Sequence, residues 1–422
     1  MNQRAVPFAA CLALILSSSS SAQTSVKVVG EAELIFEHRE KDVLEEPWVT
    51  PVEGGVVVGY KATKKKGSAK AKKMCHLAPR LFNKGAMTSQ PTMPQGKDAF
   101  EWCELHGAVI GKETFAIGKR ELFRLDDKWR KNASYFAGNG AGYHSLVQLP
   151  RDVIAASFTR NGHSGLYFFR GGRHNKMAEV ELTDTFSKDP DGFEPRLTVD
   201  RIGKLRVVLR NAKKEVVLST VNPNTYMKKG GKMKASLAET ARAVVNLDLS
   251  ANANIRDVVT EGRKTYILAS DDTKDGKTVP VLIVANGRRQ LQRIVLDKLP
   301  VSAFDRAAKR RSKADVSLQN ARDLALSVTS DGNVVIAVVA RIKGKFAPGT
   351  FIALVDDKGV VKSVTHNGVQ RRENHLVFTQ DGKRLVLVSA LERSIRTDAG
   401  ASTKLEHAQQ VHATRLHVVD GE

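Results

Sequence analysis

Six short segments place residues with usable chemistry at the same point of a recurring phrase: Glu46-Pro47-Trp48, Tyr143-His144, Glu194-Pro195-Arg196, Arg256-Asp257, Arg322-Asp323 and Glu373-Asn374-His375. The guanidinium groups of Arg196, Arg256 and Arg322 each offer a planar fork of donors that matches a carboxylate or a phosphate. Asp257, Asp323 and Glu373 would act as acid and base only as a pair, since glycoside hydrolysis needs two carboxyls about 5 Å apart for retention or about 6.5–9.5 Å for inversion. Imidazole is the side chain whose charge ordinarily changes near neutral pH, which makes His144 and His375 the first bases to test. Each type also has a plainer use: Arg and Asp adjacent in a chain form rim ion pairs worth little, and a lone His is commonly structural. On residue type alone, the set reads as a weak ligand-binding constellation for a polar or anionic molecule, with no catalytic residue assigned.

Motifs with a defined mechanism are missing. Gly138-Asn139-Gly140-Ala141-Gly142 lacks the Lys-Ser/Thr of a phosphate loop and reads as a flexible turn, and neither a Gly-x-Ser-x-Gly elbow nor a His-Glu-x-x-His metal helix occurs. Asp271-Asp272-Thr273-Lys274-Asp275-Gly276 begins like a calcium loop, but position twelve is Leu282 and Lys274 falls among the ligands, so a hairpin turn is expected. No cofactor and no metal are expected. Cys75 and Cys103 form an even pair once Cys11 leaves with an export signal, and a disulfide between them would contribute on the order of 3 kcal/mol. Cys75-His76 with Cys103-x-x-His106 also offers four zinc-type ligands, and that reading stays open beside the disulfide.

The elements that must position these residues are short strands. The phrase runs from a polar lead-in through an apolar stretch and a turn to a β-forming run: Glu194 to Val199, Ile202-Gly203-Lys204, Leu205 to Leu209; then Leu326 to Val328, Asp331-Gly332-Asn333, Val334 to Val339; then Leu376 to Phe378, Asp381-Gly382-Lys383, Leu385 to Val388. Seven such units begin near Glu46, Phe100, Tyr143, Glu194, Ile255, Ala321 and Glu373, at spacings of roughly 45–65 residues. One is a plain meander: Ser145 to Leu149, a turn at Pro150-Arg151-Asp152, Val153 to Phe158, a turn at Asn161-Gly162, Leu166 to Phe169. Aromatics make up only 6% of the chain while Val, Ile and Leu come in short runs, and the only stretch with a helical period is Ser236 to Val245. The expected fold is all-β: a single β-propeller of seven antiparallel blades, closed by pairing Val28 to Phe36 beside the C-terminal Leu416 to Val419. Tyr143-His144-Ser145-Leu146, Val153 to Phe158 and Leu166 to Phe169 resemble repeats of exported bacterial β-propellers of the sialidase-like, BNR-type superfamily. Ser330-Asp331-Gly332 and Gln380-Asp381-Gly382 keep the Asp-Gly turn of that superfamily's Asp-box without its Ser-x-Asp spacing or its tryptophan. The resemblance therefore implies fold and export, and does not imply glycosidase activity.

Arg4, the apolar Val6 to Leu16 and the small residues Ser20-Ser21-Ala22 read as an export signal covering 1–22, leaving a propeller over 23–422 in the periplasm or outside the cell. No later stretch is apolar and long enough to be a transmembrane helix. Of 422 residues, 67 are Lys or Arg and 45 Asp or Glu, a formal charge of +22 that attracts anionic polymers and surfaces, or else reflects solvated lysines with no partner. Lys61 to Lys73 and Arg306 to Lys313 read as exposed basic loops. Nucleic acid is not the expected partner, because aromatic platforms are scarce between the basic residues. Two functions are carried forward. One is a non-enzymatic binding or scaffold protein presenting a basic face to an anionic envelope glycan, lipid headgroup or protein partner. The other is a glycan hydrolase or lyase in which Arg196, Arg256 and Arg322 clamp a carboxylate.

Overall fold

The computed structural model describes residues 25–40, 47–64, 72–83, 86–89, 105–111, 113–118, 120–126, 131–136, 141–170, 176–186, 194–200, 202–273, 275–305, 310–321, 323–340, 349–356, 359–366, 374–381, 384–399 and 402–419. Among them, uniformly apolar runs form strands buried on both faces: every residue of Val216–Val221 is buried, as are five of the six in Leu205–Arg210. Such strands need a neighbouring sheet on each side, and a ring of radial sheets supplies both.

Seven antiparallel blades form that ring. Their innermost strands are Trp48–Val52, Gly107–Ile110, Gly142–Leu149, Arg196–Val199, Asn254–Glu261, Leu324–Val328 and Asn374–Asp381. Each lies beside the next, and the last lies beside the first. The apolar core is divided accordingly into inter-blade cores. Leu166 and Phe168 of blade 3 pack on Leu205 and Val207 of blade 4, Leu268 and Leu282 of blade 5 on Ile336 and Phe351 of blade 6, and Val386 and Val411 of blade 7 on Val56 and Tyr60 of blade 1. Blade 7 is assembled from both ends of the described chain, with Ser25–Glu40 antiparallel to Ser402–Val419 and Val28 opposite Leu416. This is the closure expected from the sequence.

Five hairpins share one turn. At Asp200, Asn211, Thr273, Thr329 and Asp356 the backbone N–H donates to the carbonyl four residues on and the carbonyl accepts from three residues on. The side-chain oxygen of the same residue accepts the N–H of residue i+4, at 2.8 Å in Asp200–Lys204 and 3.2 Å in Thr273–Lys277. The fourth position has positive φ: Gly203, Gly276, Gly332, Gly359, and Lys214 in the remaining turn. Closure by an Asp, Asn or Thr side chain plus a left-handed fourth residue fixes the turn, and that fourth residue is the glycine of Asp275-Gly276 and Asp331-Gly332. The same bonds close the hairpin between Thr273 and Lys277.

Three sequence expectations change. Ser236 caps only a single helical turn, Leu237–Thr240, after which Ala241–Asn246 is a strand paired to Val216–Val221, because a free sheet edge outweighs weak helix propensity. A helix at Pro223–Lys229, capped by Asn222 and started by proline, was not expected. Between the two helices Gly231–Ala235 adds a parallel fifth strand to the outer edge of blade 3, with Lys232 near Glu179 and Lys234 near Glu181. The two basic stretches are partly strand: Gly55–Lys64 pairs with Lys72–Asn83, and Arg310–Ser317 pairs with Lys298–Asp305 in an extra hairpin between blades 5 and 6. Residues 65–71 and 306–309 lie outside the described residues. Among the described residues no helix is long and apolar enough to cross a membrane.

Candidate functional site

The segments leading into the innermost strands end on one face of the ring and surround a cavity of about 1380 Å³ over the channel. Arg196, Arg256, Asp257, Asp323, His144 and His375 all line it. Arg322 and Glu373 lie outside the described residues, as does Cys103, so the disulfide and zinc readings fall there too. His76 stacks on Tyr60 in blade 1, whereas His106 is at the mouth.

Three of the first strands carry an extra residue at their mouth end. The register slips between Tyr143 and Ser145, between Ile255 and Asp257, and between Asn374 and Val377, leaving His144, Arg256 and His375 in or beside a bulge. His375 also has φ of +50°, uncommon for a residue with a Cβ. A bulge turns a side chain out of the alternation that packs the inter-blade cores, and bulges concentrate where side chains must be re-aimed. The residue after the bulge ties the ring together. The Ser145 hydroxyl accepts the Leu197 N–H at 3.1 Å, and the Asp257 carboxylate accepts the Leu326 N–H of blade 6 at 2.9 Å and its neighbour Val258 N–H at 2.8 Å. Burial pushes the Asp257 carboxyl up, and the two backbone donors and Arg196 oppose that rise. One of its oxygens joins blades 5 and 6 and the other caps its own strand at Val258.

The mouth has two unlike arcs. Blades 7, 1, 2 and 3 supply rings: His375 lies 4.2 Å from Trp48 between centroids, Trp48 6.0 Å from His106, and His106 6.4 Å from His144. Blades 4 to 6 supply Arg196, Arg210, Asn254, Arg256 and Asp323, and Arg120 and Arg160 add two more guanidinium groups from hairpin ends. Between the arcs, Glu194 is paired with Arg196 and sits 3.8 Å from His144 Nδ1. Arg196 donates further to the His144 carbonyl at 3.1 Å, and His144 Nε2 contacts the Thr159 hydroxyl at 2.8 Å. Burial alone would raise the Glu194 carboxyl. The His144 ring and the charges of Arg196, His144 and His106 outweigh burial and hold it at about 2. Arg160 is paired with Glu179 and lies 4.8 Å over the Phe158 ring, and Arg256 donates to Ser270 at 3.0 Å. No group of three potential metal ligands occurs among the described residues.

Sequence reading placed Trp48 and Glu194 in the mouth lead-ins without giving them a role, and did not single out His106, Asn254, Arg120, Arg160 or Arg210 as lining residues. For Trp48 and Glu194 the signal was present, since both stand in the recurring lead-ins. His106 directly precedes an innermost strand but was read through its cysteine neighbour.

No family model and no curated protein matches the chain. Solved propellers are similar in shape. The Neurospora crassa Pan2 WD40 domain is 9% identical over 93% of this chain and 98% of its own, with a TM-score of 0.46. The Dos1 propeller is 8% identical over 91% and 94%, at 0.47. Virginiamycin B lyase from Staphylococcus aureus is 11% identical over 92% and 100%, at 0.42. At these levels the likeness concerns the propeller fold and nothing about ligands.

Proposed function

We propose that the protein is an exported, non-enzymatic binding propeller of the cell envelope whose channel mouth takes an anionic ligand. The observation that carries this reading is the charge balance of the mouth. Arg120, Arg160, Arg196, Arg210 and Arg256, with three imidazoles, surround a cavity whose carboxylates are Glu194, Asp257 and Asp323. Two of these guanidinium groups are themselves paired, Arg196 with Glu194 and Arg160 with Glu179, and Asp257 is held by backbone N–H groups. The formal +22 of the whole chain adds a long-range field of the same sign. Export rests on the sequence of 1–22, and the resemblance to sialidase-like exported propellers agrees with it. The partner classes are an anionic glycan, a lipid headgroup or an acidic protein surface.

A hydrolase or lyase reading of the same mouth has less support. It needs a carboxyl protonated at working pH beside an ionised one; Asp257, pushed up by burial, and Glu194, held ionised, differ in that direction, but both oxygens of Asp257 already accept backbone N–H groups. The test is binding of the 23–422 chain to envelope glycans, anionic vesicles and DNA at low and at physiological salt, repeated with Arg196→Gln and Arg256→Gln. Selective binding that survives salt and weakens at least tenfold in both variants supports a shaped anion site. Binding to every polyanion that collapses with salt and ignores the variants would show that only net charge acts.

A further inference from the structure

The face opposite the mouth carries a cationic surface that the channel reading does not use. The first turn of each blade lies on that face, because each innermost strand runs away from the mouth. In blade 3 the turn at Pro150-Arg151-Asp152 has Arg151 and Asp152 at φ of +65° and +56°, and Arg151 is exposed at its tip. In blade 4 the Asp200 carboxylate accepts the N–H groups of Ile202 at 3.1 Å and Lys204 at 2.8 Å, which fixes the turn that carries them. Ile202 is 73% exposed, more than any other large apolar side chain among the described residues. The tips adjoin one another: a Cβ on Gly203 would lie 2.2 Å from Pro150 Cγ, and the Arg206 guanidinium donates to the Arg263 carbonyl of blade 5 at 3.2 Å. Arg263 and Lys264 form the blade 5 tip, and Arg288 and Arg289 stand exposed on that blade's outer turn, where Gly287 lies beside Thr220 of blade 4.

These cations therefore surround one projecting aliphatic side chain. The acidic residues of the same turns are Asp152, Glu261 and Asp200, and Asp200 is buried against Arg206. None of them, and none of the cations, lines the mouth. We infer that this face docks on an anionic lipid bilayer, with Ile202 entering the headgroup layer and Arg151, Lys204, Arg263, Lys264, Arg288 and Arg289 meeting lipid phosphates around it. Cationic side chains held close to a charged leaflet are attracted to it over about a Debye length, and an aliphatic tip gains from the acyl boundary beneath the headgroups. A bilayer is favoured over an acidic protein because it offers negative charge and apolar depth together across the width of three blades. An acidic protein surface would give the projecting isoleucine nothing apolar unless it carried a matching pocket. Docked in this way the protein holds its mouth away from the membrane, so the inference does not rest on what the mouth binds.

The experiment is co-sedimentation of the 23–422 chain with vesicles of mixed phosphatidylglycerol and phosphatidylcholine and with vesicles of phosphatidylcholine alone, with binding to soluble polyglutamate measured alongside. The wild type is compared with Ile202→Ser, with Ile202→Trp and with the combined Arg151→Gln, Lys204→Gln and Arg263→Gln variant. A charge-matched variant, Lys213→Gln with Lys277→Gln and Lys298→Gln, removes exposed lysines away from these turns. Each protein is checked for an unchanged thermal transition. The expected result is binding to the anionic vesicles alone, weakened at least about tenfold in the combined variant and about threefold or more in Ile202→Ser, strengthened in Ile202→Trp, and changed less than about twofold in the charge-matched variant. Should the combined variant not fold, the two Ile202 variants and the charge-matched one still decide. Equal weakening by the charge-matched variant, or binding that ignores both Ile202 variants, would overturn the proposal. Polyglutamate bound as tightly as the vesicles, through the same three cations, would overturn it too and name an acidic protein as the partner. No substitution touches the mouth, so failure here leaves the anion site standing.

Discussion

Glu194 shows how one residue takes its role from its neighbours. A carboxylate at a half-exposed mouth would ordinarily titrate near 4.5, but His144 and Arg196 close to it bring it to about 2. A lowered folded-state value means that the ionised form is stabilised by folding. The contribution is therefore complete above about pH 4.5 and is lost as pH falls toward about 2. We expect Glu194→Gln to melt below the wild type at pH 7, with the gap narrowing as pH is taken from 4.5 to 2.5. A gap of constant size would mean that the charge is not what matters. Asp257 illustrates the opposite case. Its type and its arginine neighbour suggested ligand chemistry, yet the backbone groups of Val258 and Leu326 claim both its oxygens. Residue type is readable from a sequence, but competition for a carboxylate between solvent, ligand and a neighbouring blade's N–H is not.

At the scale of elements, the five shared turns tie local sequence to register. The left-handed fourth position is glycine in four of them, but the glycines are not equal. A Cβ on Gly203 would lie 2.2 Å from Pro150 Cγ in blade 3, while one on Gly276 meets open space. Gly276→Ala should cost about 1–2 kcal/mol, the strain of a left-handed residue with a side chain. Gly203→Ala should cost on the order of 2 kcal/mol more, because it also overpacks the blade 3–4 contact. Urea midpoints of the two variants check the difference, and equal shifts would deny the contact. The turns and the meander strands were legible because Asp-Gly and Asn-Gly signals are local. The Gly231–Ala235 strand was not, since nothing within it is strongly β-forming and it exists because the outer edge of blade 3 offers unpaired N–H and C=O groups. The basic stretches were read as loops for a related reason. Like charges in a row argued against a packed strand, but backbone pairing in a hairpin does not depend on the sign of the side chains.

The whole molecule stands or falls by closure, because each blade buries its faces on two others. Ser25–Glu40 completes blade 7 and buries Val26, Ile35 and Phe36. Deleting 25–40 should remove about 5 kcal/mol of apolar burial, lower the melting temperature by several degrees and expose the edge of Ser402–Val419 to self-association. Scanning calorimetry with light scattering would show it, and an unchanged transition would contradict the ring. Seven units, their meander form and the end-to-end closure could be read from the chain itself, because repeats, strand periodicity and turn chemistry act over a few residues and recur. Phase along the repeat was enough to bring His144, Arg196, Arg256, Asp257, Asp323 and His375 to one mouth. Which of them faces a ligand, and that Trp48 stands among the rings opposite the arginines, depended on bulges and inter-blade hydrogen bonds between residues 50–70 positions apart. Those contacts come into being only when the ring closes, so tertiary structure alone decided them.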